Sequence, residues 1–537
     1  MTSYVENQRV EIEFQKELRK KLKRTFNHFF CRYGKFLEIQ SEAIPVVLNG
    51  KNAIIVSATA TGKTESVVAP LVERVFKEHI KEKSNELMVL YISPTRALVN
   101  DIYYRLKEPL EALGISITLR TGDNPRFSSE KSANFLVTTP ESFDSLLCRY
   151  SQLFKNVKGV ILDDIHFVDN TYRGDQLRIL LRRLQQITTT NFNIYLLSAT
   201  ISNCTEVASR YMKEFEIIVA PGRRKIKYTL CSSLKEIFEY IKKENLRKIL
   251  IFCNRRNQVE LVSAEAQKLF GEKMVVVHHG SLSKTVRESA EKFMKESPYG
   301  VCVATMTLEI GIDIGDIDGV VLAEIPWSIS SLLQRIGRGN RRTLENRVFA
   351  IYNSLDEKRI LEEMFKIAID GNLEPIDYSP SLSVIVQQIF SSLYQHSSGL
   401  NEHYFTEIFN GYCSKETFSK IIRHLTETEW VERKDGKWYA TTKLMDMAER
   451  GQIHSNIPSS KTYKIIDVRT REVLGDIPFL VDEIFIFGGK KWKIVNVIKD
   501  KIYVEPAHGQ HTLIKFRDND DKGAFNKFLP PDMQSSR

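Results

Sequence analysis

The 537-residue chain lacks any uninterrupted apolar run of about 18 residues, the length that a helix needs to cross a bilayer. We therefore expect no transmembrane segment and no membrane partner. The first residues, M-T-S-Y-V-E-N-Q, also lack the apolar core of a secretory signal. We therefore expect no export, and the sequence predicts a cytoplasmic protein.

Cysteine is sparse and scattered. None of the seven cysteines forms a C-x-x-C pair, so the sequence indicates neither a disulfide framework nor a zinc site, and a reducing compartment fits. His278 and His279 end a predicted strand, but no Cys/His/Asp set accompanies them, so we favour a structural or nucleic-acid-contact role over metal binding. No second acidic cluster stands out, which leaves nuclease chemistry without support.

The overall composition is that of an ordinary globular protein. Hydrophobic residues make up 42% and charged residues 27% of the chain. A chain of this length is expected to form roughly three to five domains. The net charge of +10 is compatible with a polyanionic partner but is weak support for one by itself.

Residues 10–30 form the first recognisable pattern. Phe14, Leu18, Leu22 and Phe26 recur every four residues with basic residues between them, which predicts an amphipathic helix. We interpret its basic outer face as solvated in preference to a nucleic-acid contact.

Short apolar runs then alternate with helical patterns as far as residue 370, interrupted by the turn-rich, charged linker Pro221–Lys225. This alternation predicts two α/β domains in tandem, each with a parallel sheet covered on both faces. The predicted strands are Ala53–Val56, Leu87–Ile92, Ile115–Leu119, Phe135–Thr138, Val160–Leu162, Ile194–Leu197, Ile249–Phe252, Met274–Val277, Val301–Ala304, Val320–Leu322 and Val348–Ile351.

The pattern changes after residue 370. Residues 381–430 are typical of helices, and a short hairpin over residues 430–440 follows them, which predicts a winged helix. From residue 461 onward strands dominate, and we predict a small β domain. The tail from Arg517 is polar and rich in aspartate, so we expect it to be disordered.

A phosphate-binding loop is predicted between the first strand and the helix that follows it. The sequence S-A-T-A-T-G-K-T supplies small residues whose backbone N–H groups hold a triphosphate at a helix N-terminus. Lys63 then reaches the outer phosphates and the Thr64 hydroxyl ligates Mg²⁺. Ser57 replaces the first glycine of the strict pattern, so a loop that merely enters a core helix remains the alternative. The predicted nucleotide-binding residues here are Ser57, Ala58, Thr59, Ala60, Thr61, Gly62, Lys63 and Thr64.

Two carboxylates follow the buried run Val160–Leu162. The end of a parallel strand beside a phosphate loop is where Mg²⁺ is usually held, and Asp163 suits that role. Asp164 is suited to orient and polarise the attacking water. Ser198-Ala199-Thr200 follows another buried run, where it is placed to couple the nucleotide state to domain movement.

The second α/β domain contributes two arginines. Arg338 and Arg341, in Q-R-I-G-R-G-N-R, are three residues apart and would share one face of a helix. Paired guanidiniums suit a cluster of phosphate oxygens. Delivered from a second domain, they would act as arginine fingers when the cleft closes. The alternative is a surface cluster that pairs with distant acids.

Taken in order, these motifs resemble those of the superfamily 2 helicases of the DEAD/DEAH type, and most closely the Lhr-type (large helicase-related) core proteins. S-A-T-A-T-G-K-T resembles motif I, D-D-I-H motif II and S-A-T motif III. I-F-C-N and H-G-S, at 251–254 and 279–281, resemble motifs IV and IVa. The segments A-T-M-T-L-E-I-G-I-D-I-G and Q-R-I-G-R-G-N-R resemble motifs V and VI.

The resemblance implies roles for further residues. Gln40 resembles the glutamine that reads adenine, and Gly311 and Asp313 of motif V join the nucleotide site. P-T-R-A-L, Thr121-Gly122 and T-T-P-E resemble the nucleic-acid-binding motifs of the first domain. The residues implied to contact nucleic acid are Pro94, Thr95, Arg96, Thr121, Gly122, Thr139, Pro140, Asn254, His279 and Thr305.

The similarity covers roughly residues 30–510, including H-S-N-I-P at 454–458 in the β-domain region, and two departures stand out. Asp164 stands where the family usually has glutamate, which places the carboxylate about one methylene shorter and puts the turnover rate in question. Motif VI ends in Gly-Asn-Arg where Lhr-type proteins have a histidine.

The resemblance implies two RecA-like domains, ATP and Mg²⁺ as cofactors, and a helicase or translocase that moves 3′ to 5′ on single-stranded nucleic acid. DNA is favoured, and RNA or a hybrid stays open. Trp327, Trp430, Trp438 or Trp492 would stack on a base, although tryptophan is more often a core residue. The predicted segments are an N-terminal helix (1–30), RecA-like domain 1 (31–220), RecA-like domain 2 (221–368), a winged helix (369–450), the β domain (451–516) and the tail (517–537).

The sequence leaves two alternative functions open. One is an ATP-gated nucleic-acid clamp that hydrolyses slowly, as the shortened Asp164 favours, and serves as the recognition subunit of a larger repair, RNA-processing or defence complex. The other is a nucleic-acid-binding scaffold with a vestigial ATP site. The joint presence of Lys63, Thr64, Asp163 and the two arginines of motif VI argues against the scaffold.

Overall fold

The computed structural model describes residues 2–31, 35–58, 61–76, 86–122, 133–220, 225–309, 314–339, 345–371, 379–458, 462–478, 483–507 and 523–534. The chain forms two compact units, each built from segments that are distant in sequence. Unit 1 contains Met1–Pro221, Ile376–Pro458 and Asp520–Arg537, and unit 2 contains Gly222–Pro375 and Ser459–Asn519. Among the described residues, no helix combines the length and hydrophobicity needed to cross a bilayer.

Unit 1 is centred on a sheet of seven parallel strands. Alternate residues of the strand Ala53–Ser57 enter separate apolar clusters, so both faces of the sheet are covered, as parallel strands require. The strands are β1 (Ala53–Ser57), β2 (Val89–Ile92), β3 (Ile117–Arg120), β4 (Phe135–Thr138), β5 (Gly159–Leu162), β6 (Asn193–Ser198) and β7 (Glu216–Ala220), in the order β3-β4-β2-β5-β6-β1-β7. The helices of this region are α1 (Thr2–Lys21), α2 (Phe26–Phe29), α3 (Glu38–Leu48), α4 (Lys63–Val75), α5 (Arg96–Ala112), α6 (Pro140–Arg149), α7 (Tyr172–Ile187) and α8 (Cys204–Ser209).

The N-terminal amphipathic segment forms two helices where the sequence predicts one. The break between α1 and α2 lies where the buried carboxylate of Glu73 accepts 3.0 Å hydrogen bonds from the backbone N–H groups of Arg24 and Thr25. These donors would otherwise be unsatisfied at the start of α2. Three of the four predicted apolar positions are buried, whereas Phe14 is 43% exposed.

Unit 2 contains a second parallel sheet, of six strands. Its first strand begins at Lys225, so that residue of the predicted linker is structured, and residues 221–224 lie outside the described residues. The strands are β8 (Lys225–Cys231), β9 (Lys248–Phe252), β10 (Val275–His278), β11 (Gly300–Ala304), β12 (Gly319–Leu322) and β13 (Glu345–Ile351), in the order β10-β11-β9-β12-β13-β8. The helices are α9 (Leu234–Lys243), α10 (Arg256–Phe270), α11 (Lys284–Glu296), α12 (Ile329–Ile336) and α13 (Leu355–Asp370).

The winged helix belongs to unit 1 and packs against its first α/β domain. Three helices are followed by an antiparallel hairpin, and the sequence predicts both the helices and the hairpin. A fourth helix follows the hairpin and was not predicted. The elements are α14 (Leu382–Gln395), α15 (Glu402–Ile408), α16 (Lys415–Glu427), β14 (Val431–Lys434), β15 (Lys437–Ala440) and α17 (Thr442–Glu449).

The expected disorder of the C-terminal tail is wrong for residues 523–534. Phe525 and Leu529 are buried in the core that contains α14, and the ring of Phe525 lies 5.8 Å from that of Phe390. The composition of the tail is polar on average, but these two apolar side chains pack against an apolar surface of the winged helix.

The β domain belongs to unit 2. Its strands are β16 (Tyr463–Asp467), β17 (Val473–Ile477), β18 (Ile484–Phe487), β19 (Lys490–Ile498) and β20 (Lys501–Pro506), in the order β17-β16-β20-β19-β18. Glu260 of α10 anchors the domain, because its buried carboxylate accepts hydrogen bonds from the backbone N–H groups of Gly488 (2.7 Å) and Gly489 (2.8 Å). The two glycines have φ of +64° and +73°, in the left-handed region that favours glycine.

A buried polar network joins the winged helix to the first α/β domain within unit 1. Arg183 of α7 donates to Gln388 Oε1 at 2.9 Å and to Ser391 Oγ at 2.8 Å, both on α14. Its guanidinium also lies 3.3 Å from Asp144 Oδ1 of α6. Because a buried charge is costly unless it is paired and hydrogen-bonded, this network fixes α14 on α6 and α7.

His454 adds a second charge to the network. Burial alone would lower its pKa, but Asp144 and Cys148 outweigh burial and raise the pKa of His454 to about 9. Asp144, Cys148 and His454 lie within 4.8 Å of one another, as metal ligands do. Arg183, however, donates to both Asp144 and Cys148, and its guanidinium already supplies the cation.

We expect the stability of unit 1 to fall as the pH rises from 6.5 to 9. The folded-state pKa of His454 is raised, so its contribution is complete below the ordinary pKa of 6.5 and is lost as the pH rises through about 9. The contribution is on the order of 3 kcal/mol. Denaturant unfolding of His454→Gln should therefore give a flatter pH profile than the wild type over this interval.

The matched control for this prediction is His403→Gln, which removes an exposed histidine paired with Glu407 at 3.3 Å. This variant should retain the wild-type profile. A wild-type profile that is already flat between pH 6.5 and 9 would show that His454 does not change its charge on folding.

Candidate functional site

The predicted phosphate loop leads from β1 into α4. Gly62 precedes the helix with φ +79°, and a Cβ there would lie 2.2 Å from Nε2 of Gln40, so both the backbone conformation and the space require glycine. Gln40 is itself fixed, because its Oε1 accepts a 2.9 Å hydrogen bond from the Leu37 N–H at the start of α3. The loop is therefore tightly turned at a helix N-terminus, which is the arrangement that binds phosphate.

The ammonium group of Lys63 lies against its own loop. Nζ donates to the carbonyl oxygens of Ser57 and Ala58, the latter at 2.8 Å. The hydroxyl of Thr61 also donates to the Ala58 carbonyl, at 2.8 Å. These bonds hold a positive charge beside the N-terminus of α4, where an anion is doubly favoured.

The acidic pair follows β5, at the same edge of the sheet. Asp163 Oδ2 accepts a 2.7 Å hydrogen bond from the hydroxyl of Tyr91, and Asp163 Oδ1 accepts one from the Asp164 N–H at 3.0 Å. Burial and the neighbouring Asp164 raise the pKa of Asp163 to about 7, against the lowering by Tyr91, Arg105 and Lys63. A cation bound at Asp163 would hold its carboxylate ionised.

Thr64 has a partner that the sequence pattern does not reveal. Its Oγ1 accepts a 2.6 Å hydrogen bond from Nη2 of Arg105, on α5. Tyr91 was also missed, although a tyrosine within the aliphatic run M-V-L-Y-I signals a buried hydroxyl that needs a polar partner. No comparable local signal marks Arg105, because α5 carries several charged residues.

Thr64 and Asp163 meet the requirements of a Mg²⁺ site. Both are buried at the carboxyl edge of the sheet and both present oxygen atoms, the ligands that Mg²⁺ prefers. The donor set therefore fits the ion predicted from the sequence.

A direct contact links motif III to motif II. Ser198 Oγ lies 2.9 Å from Nδ1 of His166 and donates to the Thr200 carbonyl at 3.1 Å. Ser198 is fully buried, whereas His166 is half-buried. The contact therefore connects the segment after β5 with the segment after β6.

Two of the predicted nucleic-acid-binding threonines cap helices. Thr95 Oγ1 accepts from the Leu98 N–H and caps α5, and Thr139 Oγ1 accepts from the Ser142 N–H and caps α6, each at 3.3 Å. These helices follow β2 and β4, which are neighbouring parallel strands. Two helix N-termini therefore lie at one edge of the sheet, and both attract phosphate.

Arg173 ties these two loops together, although the sequence analysis did not single it out. Its Nη2 donates to the Pro94 carbonyl at 2.6 Å, and its Nε donates to Glu141 Oε1 at 2.6 Å. Glu141 follows Pro140, the first residue of α6. The charged pair thus sets the spacing between the two capped helices.

Arg96 and Gly122 lie side by side. A Cβ at Gly122 would be 2.8 Å from Nη2 of Arg96, so glycine leaves room for the guanidinium. Arg96 is exposed, whereas Thr121 is buried. Arg96 is therefore the member of this group with a charge presented to solvent.

In unit 2, motif VI contacts motif V. Nη2 of Arg338 donates to the Glu309 carbonyl at 2.7 Å, and Nε of Arg335 donates to Glu309 Oε1 at 2.6 Å. The prediction that Arg338 lies on a helix is wrong, because α12 ends at Ile336 and Arg338 occupies the turn that follows. The predicted residues outside the described part of the chain are Thr59, Ala60, Gly311, Asp313 and Arg341.

Asn254 and Thr305 follow β9 and β11, which are neighbouring parallel strands. The backbone N–H of Asn254 donates to Glu324 Oε2 at 2.7 Å, and its Nδ2 donates to the Ile325 carbonyl at 2.8 Å. Thr305 is buried, and its hydroxyl lies 3.4 Å from that of Thr307. The two predicted contacts are thus held at one edge of the second sheet.

Known families match both α/β domains. The DEAD/DEAH box helicase family matches residues 37–207, and the helicase conserved C-terminal domain matches residues 231–343. Together they span more than half of the chain and include the phosphate loop, the acidic pair and Arg338.

The chain belongs to the DEAD/DEAH box helicases of superfamily 2.

Among its relatives, this helicase is similar to the ATP-dependent helicase Lhr-Core of Methanocaldococcus jannaschii, with 31% identity over 95% of this chain and 66% of the relative. Lhr-Core of Sulfolobus acidocaldarius is 33% identical, over 90% of this chain and 62% of the relative. The helicase thus spans just under two thirds of the length of these relatives. The structure of Mycobacterium smegmatis Lhr bound to ssDNA and AMP-PNP has a TM-score of 0.71 and 22% identity, over 82% of this chain and 62% of that one, and shows that the fold is shared.

The structure places His279 in the interior of unit 2. Its side chain is completely buried, and Nε2 lies 3.0 Å from Glu260 Oε1, the carboxylate that anchors the β domain. The buried position and the pairing with Glu260 favour the structural role of His279 over the predicted contact with nucleic acid. His278 is likewise buried and lies 3.0 Å from Glu291.

The four tryptophans differ sharply in exposure. Trp438 and Trp492 are core residues of the winged helix and the β domain, and Trp430 packs against Phe390. Trp327 is 69% exposed, with the guanidinium of Arg255 6.0 Å from its ring centre. Trp327 is therefore the tryptophan of the four that retains the predicted capacity to stack on a base.

Asp164 has a backbone conformation that suits a short acidic residue. Its φ is +45°, in the left-handed region, where aspartate is favoured among non-glycine residues. The family's usual glutamate carries its carboxylate about one methylene further. Although the backbone favours aspartate, we therefore expect Asp164→Glu to bring the carboxylate nearer the attacking water and to raise kcat for ATP hydrolysis about three- to tenfold, a fraction of the roughly 10²–10⁴-fold effect of a positioned base. Steady-state ATPase assays at saturating nucleic acid measure this change.

Asp164→Asn is the comparison variant, because it keeps the side-chain length and the backbone preference but removes the charge. It should lower kcat. If Asp164→Glu leaves kcat unchanged or lower, the shorter side chain is no handicap to hydrolysis.

Proposed function

We propose that this protein is an ATP-driven helicase or translocase that moves 3′ to 5′ along single-stranded nucleic acid, preferentially DNA. The observation that supports it most strongly is the convergence of Lys63, Thr64 and Asp163 at one edge of the first sheet, beside the helix N-terminus of the phosphate loop. The membership of the DEAD/DEAH box helicases supports ATP as the nucleotide. The two capped helix N-termini at the same edge support a polyanionic partner.

Within the proposed nucleotide site, the N–H groups of the loop and Lys63 bind the phosphates. Thr64 and Asp163 are the residues that would hold Mg²⁺, which supplies positive charge to the outer phosphates. Asp164 orients the attacking water and accepts its proton. Gln40 is proposed to contact adenine, and Gly311 and Asp313 to complete the nucleotide site.

Arg338 and Arg341 are proposed to act as arginine fingers, which stabilise the charge that develops on the transferred phosphoryl group. In this proposal, hydrolysis is coupled to opening and closing of the two RecA-like domains. The contact of Ser198 with His166 supports a path by which the acidic pair influences the rest of unit 1.

Nucleic acid is proposed to bind through its phosphates. The N-termini of α5 and α6, with Thr95 and Thr139, provide backbone donors, and Arg96 provides a charge presented to solvent. Phosphate contacts carry no sequence information, so binding should be independent of sequence and should weaken as salt is added. The Mycobacterium smegmatis Lhr structure contains ssDNA, which supports DNA as the substrate here.

A slowly hydrolysing ATP-gated clamp is the second candidate, and Asp164 is the residue that favours it. In this function the protein binds and closes on nucleic acid as the recognition subunit of a larger complex. The two candidates differ in turnover: a motor hydrolyses many ATP molecules for each binding event, whereas a clamp retains its nucleotide.

The deciding experiment combines ATPase and unwinding assays with single-stranded DNA, single-stranded RNA and RNA:DNA hybrid across a salt series. We expect stimulation by single-stranded DNA, a loss of stimulation as salt rises, and unwinding of duplexes with a 3′ overhang but not a 5′ overhang. Tight ATP-dependent binding without stimulated turnover would favour the clamp. Failure to bind nucleotide would contradict both candidates.

A further inference from the structure

We propose that, while no nucleotide is bound, Arg105 donates a hydrogen bond to the Thr64 hydroxyl that would bind Mg²⁺. This hydrogen bond breaks when Mg²⁺–nucleotide enters. Arg105 would then set the Mg²⁺ concentration that nucleotide loading requires. The proposal rests on the nucleotide site described above, and it assigns a role to a residue outside the helicase motifs.

The contact itself is short and specific. Nη2 of Arg105 donates to Thr64 Oγ1 at 2.6 Å, although the two residues are 41 positions apart in the sequence. Asp163, the second predicted Mg²⁺ ligand, accepts a 2.7 Å hydrogen bond from Tyr91. Both predicted ligands are therefore engaged by donors of the chain itself.

The acidic residues near the site explain why it favours a cation. Asp163 and Asp164 place two carboxyl groups in succession directly after β5. The ammonium of Lys63 is directed at the carbonyls of its own loop. Arg105 is thus a cationic side chain that contacts a predicted Mg²⁺ ligand directly.

The exposed position of Arg105 allows its guanidinium to move away from Thr64. Its side chain is 44% exposed, on the surface of α5. Two other carboxylates lie nearby, since Nε is 3.6 Å from Glu65 Oε1 and Nη1 is 3.9 Å from Asp101 Oδ2. These two carboxylates offer the guanidinium other partners once the hydrogen bond to Thr64 is broken.

A guanidinium and Mg²⁺ are poorly compatible at one hydroxyl. A doubly and a singly charged cation about 5 Å apart repel each other appreciably even in a water-like dielectric. Part of the energy of Mg²⁺ binding is therefore used to move Arg105. Removal of the guanidinium should therefore lower the Mg²⁺ concentration that nucleotide binding requires.

The test is the Mg²⁺ dependence of nucleotide binding to the full chain, measured by fluorescence of a labelled, non-hydrolysable ATP analogue. We expect Arg105→Met to lower the Mg²⁺ concentration at half-saturation about tenfold, the order of that repulsion. Nucleotide affinity in EDTA should fall in the same variant, because a cation has been lost from the site. A purely structural surface ion pair would change neither quantity.

Asp101→Asn is the matched control, because it removes an ion pair of Arg105 without touching Thr64. It should retain the wild-type Mg²⁺ dependence. If Arg105→Met binds nucleotide with an unchanged Mg²⁺ dependence, the assignment of Arg105 is wrong while the nucleotide site stands. If the wild type fails to bind the analogue at any Mg²⁺ concentration, the proposed function itself is wrong.

Discussion

Replacement of Lys63 by alanine is expected to abolish ATP hydrolysis. The ammonium lies against the loop carbonyls of Ser57 and Ala58, at the N-terminus of α4, where the outer phosphates of ATP are proposed to bind. Loss of one preorganised donor to developing charge costs about 10²–10³-fold in rate, and Lys63 contributes a full positive charge as well. Nucleotide binding should weaken together with turnover. Steady-state ATPase assays and titration with a labelled nucleotide measure the two effects.

Lys51→Ala provides the control for this experiment. Lys51 lies shortly before β1 and pairs with Glu216 at 2.7 Å on the surface, so its loss should leave hydrolysis at the wild-type rate. A Lys63→Ala variant with more than a few per cent of wild-type turnover would show that hydrolysis does not depend on this loop, and the proposed nucleotide site would have to be abandoned.

Replacement of Arg338 by alanine is expected to reduce kcat about 10³-fold or more, the effect of losing an arginine finger, while nucleotide affinity changes little. The reason is that a finger stabilises charge that is present in the transition state and much less in bound ATP. Arg338 is buried and donates to the Glu309 carbonyl at 2.7 Å, so the variant also loses a structural bond. Unfolding of the variant must therefore be measured beside its kinetics.

Arg347→Ala separates the two effects. Arg347 is also a buried arginine of unit 2, and it is paired with Glu244 at 2.6 Å and lies outside the helicase motifs. This variant should lose stability but keep its kcat. An Arg338→Ala variant with weakened nucleotide binding, or with unaltered kcat, would remove the finger assignment.

The buried strands of both sheets could be predicted from the sequence because each is a short apolar run that ends abruptly. The prediction Ala53–Val56, for example, differs by one residue from β1. β7 and β8, which each lie at the end of a sheet, were missed. β7, E-I-I-V-A, is a short apolar run that was not included among the predicted strands. In β8, polar residues interrupt the apolar pattern. The run K-I-K-Y-T-L-C of β8 shows this clearly.

The motifs also identified the loop and the acidic pair, since those residues are close in sequence to the strands that position them. The roles of Tyr91 and Arg105 were not predicted, because their hydrogen-bond partners are 72 and 41 residues away in the sequence. The burial of His279 depends on Glu260, which lies on another element. Contacts of this kind depend on how the elements pack and have no local signature.

The same limit applies to the tail. Its polar composition predicts disorder, but Phe525 and Leu529 cover an apolar surface on the winged helix. A compositional argument averages over the whole segment, whereas two well-placed apolar side chains are enough to order a short stretch of chain.

Unit 1 is built from segments that are distant in sequence, and this limits how the protein can be truncated. Ile179, in the first α/β domain, shares an apolar cluster with Phe390 and Phe525, which come much later in the chain. A fragment that stops after motif VI would expose that cluster to water and leave Arg183 without Gln388 and Ser391. Such a truncation would invite aggregation, so an inactive fragment would say little about which segments perform the chemistry.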